Sequence, residues 1–424
     1  MPKIDRLFGR EILDSRGKPT VLATCVLHGG VSASVSVPSG ASTGTAEAFE
    51  LRDGDPKRYR GMGCLRAASN IGGVLHRELT NRFFSNQAEL DSAMIALDGT
   101  PTKFHLGANA LLAVSVAFAR AFALQRRIPL YQYFAEMLGS PIDRLPRLTI
   151  NLFSGGKHAG QQVSIQDVLI IPMAAQTVDD ALVAASEVYQ TAAELVFKKY
   201  GMRLLTADEG GLAPPFKTVD DMFTLAVESI ERAGYVPGKD ILLGVDLAST
   251  HFYDQQKYAV DSDVLDSVEM INTITKWLRR FPIISVEDGL AEDDWENWPK
   301  LRSAIAGKAL TLGDDLLCTN PGRIQHAVEI GACDALLLKV NQIGTVTEAL
   351  AAYRQARAAG WSITLSVRSG ETEDNWAADL ATGWRADQFK NGSIRRSERL
   401  SKYNRLLEIA GDTKWPLADW PRQI

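Results

Sequence analysis

Five short runs decide how this chain is read: ILLGVD at 241–246, IISVED at 283–288, ALTLGDD at 309–315, ALLLKVNQ at 335–342 and SITLSVRSGE at 362–371. Each is apolar and strand-like, and each ends in or carries one polar residue: Asp246, Glu287, Asp314, Lys339 and Arg368. They recur at intervals of roughly 25–40 residues, the length taken by strand, helix and loops in a β/α barrel. Helical patterns such as VTEALAAYRQARAAG (346–360) lie between them, with Gly360 placed to cap. Period alone fits a closed barrel and an open doubly wound sheet equally. The lack of a G-x-G-x-x-G after a first strand counts against the dinucleotide-binding form of the latter.

The text before these runs differs. PTVLATCVLHGGVSASVSVP (19–38) reads as two strands around His28-Gly29-Gly30. A small-residue loop, Pro38–Gly44, follows, and then an Ala-rich, largely buried helix in GANALLAVSVAFARAFALQRR (107–127). Strands followed by helices indicate an α+β domain. With 424 residues, the chain accommodates a barrel of about 250 residues and a smaller domain. The expected division is an α+β lid domain over 1–138 and a β/α (TIM-like) barrel over 139–424.

Bulk properties narrow the function. The net charge of −5 gives no basic surplus for a nucleic-acid partner. No apolar run reaches the roughly 20 residues that cross a bilayer, so no membrane partner is expected. Charges interrupt MPKIDRLFGREILDSRG where a signal peptide needs apolar text, so a cytoplasmic location is expected. Cys25, Cys64, Cys318 and Cys333 form no C-x-x-C pair and read as reduced, mostly buried thiols.

In a barrel, strand C-termini open onto one face, so Asp246, Glu287 and Asp314 converge there. Three carboxylates at such range repel unless a cation lies between them. Oxygen-only ligation favours Mg²⁺, Mn²⁺ or Ca²⁺. The alternative for each acid is a helix cap or an arginine pair. Lys339 inside Leu336–Val340 is costly unless paired or functional. Beside a metal and a second cation such as Lys390 its pKa is expected to fall, which would make it a usable base; the alternative is a structural ion pair. Glu209, in Thr206–Gly211, is a candidate general acid or part of a solvated turn. His158 lies in the flexible loop Ser154–Gly160, and the six histidines show no zinc-hydrolase spacing.

Taken together, Asp14–Gly17, Gly40–Gly44, Glu50–Asp55, Leu106–Ala110, Asp208–Gly211, Ala291–Trp295, Gly313–Leu316, Leu338–Gly344 and Arg368–Asp374 resemble the enolase family along nearly the whole chain. The resemblance implies a small α+β domain followed by a β/α barrel with irregular first units. It implies dehydration of a 2-phosphoglycerate-like carboxylate, two Mg²⁺ ions with substrate bound, and a homodimer. By position it implies that Asp246, Glu287 and Asp314 hold the tighter Mg²⁺ and that Ser39 helps hold the second. Lys339 would take the α-proton, and Glu209 would help the β-hydroxyl leave. Arg368 and Ser369 would bind the phosphorus group and Lys390 the carboxylate, with Gln166 and His158 lining the site.

Three positions depart from that family's pattern. Val367 stands where it has histidine, Asp167 where it has glutamate, and His251 where it has glutamate. Imidazole to isopropyl removes a hydrogen-bond donor. The departures therefore favour a divergent member that keeps proton abstraction but takes a modified, phosphonate-type substrate, as in carboxyphosphonoenolpyruvate synthesis. The other readings are an ordinary enolase, with these positions drifted, and a non-catalytic relative with a binding or structural role. The intact acids and Lys339 stand against the last.

Overall fold

The computed structural model describes residues 1–41, 43–201 and 205–421; Ser42, within the small-residue loop, lies outside them. β1 (Ile4–Leu13), β2 (Pro19–Leu27) and β3 (Ser32–Ser36) form an antiparallel sheet in that order. The β2–β3 turn falls at Gly29-Gly30, both at positive φ, a conformation glycine takes without a Cβ clash. Alternate β2 residues Val21, Ala23, Cys25 and Leu27 are fully buried, and β2 packs against the helix Ala108–Gln125. Among the described residues this helix alone is long and apolar enough to cross a membrane. Its small alanines let neighbouring elements close around it, and it is a core helix of the N-terminal domain.

The barrel strands are β4 (Arg147–Ser154), β5 (Asp167–Pro172), β6 (Ile241–Asp246), β10 (Ile283–Glu287), β11 (Leu310–Gly313), β12 (Ala335–Leu338), β13 (Ser362–Ser366) and β14 (Gln388–Lys390). A small antiparallel sheet, β7 (Tyr253–Asp254), β8 (Lys257–Val260) and β9 (Asp263–Leu265), is inserted after β6. Pairing of β14 with β4 and of β6 with β10 closes the ring, so the barrel, not the open sheet, is the architecture. β5 runs antiparallel to both neighbours while the other barrel pairs are parallel. This is the irregular start that the resemblance implied.

Register sets the site. Asp167 pairs with Asp246 across β5–β6, and Asp246 with Glu287 across β6–β10. Three acids on adjacent strands thus lie at one level of the barrel rim. Because β5 is reversed, its contribution comes from its first residue rather than its last. Outer helices start on side-chain caps that satisfy their free N–H groups: Thr177 with Asp180, Asp266 with Glu269, and Asn320 before Pro321. Gly360 follows the helix Val346–Ala358 at φ +80°, as expected of a residue past a helix end. All four cysteines are buried and unbridged.

The two parts dock through buried polar contacts. Asp91 accepts hydrogen bonds from the Thr347 backbone N–H (2.9 Å) and hydroxyl (2.6 Å), and Lys103 Nζ meets Glu348 at 2.8 Å.

Candidate active site

Asp246, Glu287 and Asp314 are all buried at the rim. Lys390, at the end of β14, donates to Asp246 Oδ2 at 2.8 Å and to both Glu287 oxygens at 2.8 and 2.7 Å. Lys339 follows the end of β12 and pairs with Asp314 Oδ2, whose other oxygen accepts Gln342 Nε2 at 2.8 Å. Gln166 Nε2 reaches Asp246 Oδ2 at 3.1 Å. The acids and lysines read from strand ends therefore share one buried cluster.

Electrostatics in the cluster are strongly coupled. Burial pushes the Glu287 carboxyl well up, and repulsion from Asp246 and Asp314 adds to this against the pull of the lysines. For Asp246 burial also acts upward, but Lys390 and Lys339 outweigh it and hold the group down at about 2. The expected fall in the Lys339 pKa is not found. Burial does act downward, but the Asp314 carboxylate in direct contact raises the ammonium above its ordinary value.

A second acidic group was not read from the sequence. Oxygens of Asp288, Asp314 and Asp315 lie within 4.8 Å of one another. The two Asp288 oxygens accept the backbone N–H groups of Asp314 (2.9 Å) and Asp315 (2.8 Å). Asp288 thus braces the turn that presents Asp314. Its trace in the sequence is the doubling of acids in Glu287-Asp288 and Asp314-Asp315.

On the strand next to Asp246, Asp167 is fully buried. Its Oδ1 accepts Asn151 Nδ2 at 2.6 Å and the Ser154 hydroxyl at 2.8 Å, and its Oδ2 faces His158 Nδ1 at 3.2 Å. Burial raises the Asp167 carboxyl against the pull of His158. Burial alone would lower the His158 pKa, but the Asp167 carboxylate turns the shift upward. Asn151 and Ser154 sit on the all-buried strand β4, where no periodicity marks them. Glu209 is buried nearby. Burial acts upward on it, yet the positive charges of Arg399, His158, Lys390 and Lys339 leave it below its ordinary value. Gly211 is required there, since a Cβ would lie 2.6 Å from Asn151 Oδ1 and 2.7 Å from Ser154 Oγ.

Ser39 and Ala41 of the small-residue loop meet the segment after β13 on a third side. Arg368 NH1 and NH2 clasp Glu47 at 3.0 and 3.1 Å, and NH1 also meets Asn341 Oδ1 at 3.1 Å. Ser369 Oγ accepts Arg16 at 3.2 Å and the Ala41 N–H at 2.8 Å. Ser39 exchanges backbone hydrogen bonds with Gly370. Its hydroxyl donates to Glu50 at 3.1 Å and accepts from Arg52 at 2.7 Å. Arg399, buried on the C-terminal helix, donates to the carbonyls of Arg368 and Ser369 at 2.7 Å each. Glu47 and Arg399 were not singled out from the sequence, since each pairs with a segment distant in the chain. Val367 is buried among these groups, with its N–H on the Lys390 carbonyl at 3.1 Å, and its side chain offers no donor.

Two family models cover the chain. Residues 4–134 match the enolase N-terminal domain, and residues 143–414 match the enolase C-terminal TIM barrel domain.

Proposed function

This chain belongs to the enolase family, a family of lyases, and on that premise we propose that it removes the α-proton of a 2-phosphoglycerate-like carboxylate to give an enolpyruvate ester of a phosphorus acid. The observation carrying this is the buried meeting of Asp246, Glu287 and Asp314 with Lys339 and Lys390. The family implies a divalent cation, and the donor set fits one. All the donors are carboxylate oxygens, and burial together with repulsion from Asp246 and Asp314 pushes Glu287 up even beside the two lysines. Asp246, Glu287 and Asp314 would hold Mg²⁺, and Ser39 would serve a second ion. Bound there, Mg²⁺ would supply electrostatic stabilisation for the charge that builds on the substrate carboxylate.

The protein's own groups do the rest. Lys339 Nζ accepts the α-proton; the Asp314 carboxylate in contact with it keeps it protonated in the resting site, and a divalent cation held by Asp314 would weaken that pairing. Lys390 faces the substrate carboxylate. Arg368 and Ser369 hold the phosphorus group, with Glu47 orienting the Arg368 guanidinium. Glu209 is charged in the resting site, so donating a proton to a leaving hydroxyl requires its pKa to rise. The negative charges of an incoming substrate act in that direction. His158 and Gln166 line this side of the site.

Two observations favour a specialised substrate of the phosphonate type, as in carboxyphosphonoenolpyruvate synthesis. Val367 presents an isopropyl group beside Arg368, and Asp167 is drawn into the hydrogen bonds of Asn151, Ser154 and His158. The complete acid and lysine set favours the second reading, an ordinary enolase. Steady-state kinetics on 2-phosphoglycerate separates them. The specialised reading requires weak turnover, and a rate within about 10–10³ s⁻¹ makes the chain an ordinary enolase. We further propose a homodimer; light scattering showing only a 46.3 kDa species at micromolar concentration would contradict it.

A further inference from the structure

A cavity of about 610 Å³ opens on the outer side of the loop that carries His158. Lys157, Gln162, Ser164, Lys217, His251 and Asp261 are among its walls. It shares that loop with the reaction centre. Lys157 adjoins His158, and Gln162 Nε2 donates to the Ser154 carbonyl at 3.0 Å, while the Ser154 hydroxyl bonds Asp167.

Two polar atoms in the wall, His251 Nε2 and Gln162 Oε1, are buried without a hydrogen-bond partner. Such atoms cost free energy unless something arrives to satisfy them. Two lysines, Lys157 and Lys217, line the same space and are exposed. Among the described residues the wall holds one acid, Asp261. Both Asp261 oxygens accept the Val219 N–H, at 3.1 Å each, at the start of the helix Val219–Arg232. The positive end of that helix offsets part of its charge. His251 occupies the position where the family pattern has glutamate, so an acceptor that would repel an anion has become a ring able to donate to one.

We propose that this cavity is a subsite for a second anionic group, a carboxylate or a phosphorus oxyanion, carried by the substrate beyond the part held at the metal-site acids. His251 Nε2–H, Lys157 and Lys217 supply the donors, and Gln162 Oε1 accepts a hydroxyl. The assignment rests on the reading of the neighbouring centre as one that handles a carboxylate. It gives the departure from the family pattern at His251 a role.

The test uses the full-length protein with Mg²⁺ and a saturating 2-phosphoglycerate/phosphoenolpyruvate mixture occupying the centre. Inorganic phosphate is then titrated by calorimetry, with the His251 ring followed by ¹⁵N NMR. One phosphate is expected to bind with the centre full and to shift the His251 resonance. Lys217→Glu, an exposed change, and His251→Glu should each weaken it at least about tenfold, the loss of one charge-assisted hydrogen bond. Phosphate that binds only in competition with 2-phosphoglycerate, or equally well to wild type and both variants, overturns the subsite. Absence of α-proton exchange in wild type would instead overturn the reading of the centre, and the phosphate stoichiometry reports on the cavity independently of that result.

Discussion

Lys390→Met separates the two ways in which the buried acids can be neutralised. In the structure, the ammonium makes three hydrogen bonds of 2.7–2.8 Å to Asp246 and Glu287. Methionine keeps the volume and removes the charge. Breaking a buried pair by deleting one partner costs about 3–5 kcal/mol, because the remaining charge stays desolvated. Here two carboxylates on adjacent strands would face each other, so the upper part of that range is expected without metal. Mg²⁺ should reverse much of the loss, since a ligand present at a hundred times its Kd stabilises the folded state by about 2.7 kcal/mol. The variant should also bind the ion more tightly than wild type, because no ammonium competes for the same oxygens. Thermal unfolding of both proteins over a Mg²⁺ series measures this. The expected result is a destabilised variant with the larger Mg²⁺-induced rise in Tm. A variant as stable as wild type without metal, or equal Mg²⁺ shifts in the two proteins, would refute the reasoning.

Three further outcomes are expected. Lys339→Ala should slow exchange of the substrate α-proton at least about 10²-fold, the lower end for a positioned general base; undiminished exchange removes Lys339 from that role. Val367→His with Asp167→Glu should raise 2-phosphoglycerate dehydration by about 10- to 10²-fold, the worth of a charge-assisted hydrogen bond realised in the transition state, and steady-state kinetics showing no gain would count against specialisation at these positions. Burial raises Asp91 to about 6 despite its bonds to Thr347. A carboxyl raised in the folded state contributes stability below its unfolded pKa of about 3.9 that is lost as pH rises through the folded value. Denaturant midpoints should therefore carry an Asp91-dependent fall of roughly 1–3 kcal/mol between about pH 4 and 6, and a wild type and Asp91→Asn with the same pH profile would contradict it.

The barrel was legible because its strands are short, apolar and closed by a charged residue. β6 and β10 to β13 fall within the runs read for them. Closure was not legible, since it depends on β14 meeting β4 across more than half the chain. β1 also escaped notice. Only Ile4 and Leu7 of it are fully buried, and its charged residues mask the strand pattern. The acids and lysines at strand ends were readable because burial of such groups demands partners. The expected fall in the Lys339 pKa failed for the same reason: its partner Asp314 sits in direct contact, and contact outweighs desolvation. Asp288 and Asn151 act by bracing other site residues, and nothing local in the chain announces a brace.

The central claim is that this site ionises the carbon next to a bound carboxylate. Proton NMR of 2-phosphoglycerate in D₂O, with the protein and Mg²⁺, tests it most directly. The α-proton signal is expected to decay in a Mg²⁺-dependent way and faster than phosphoenolpyruvate appears. An α-proton signal that persists with protein and Mg²⁺ both present would contradict it.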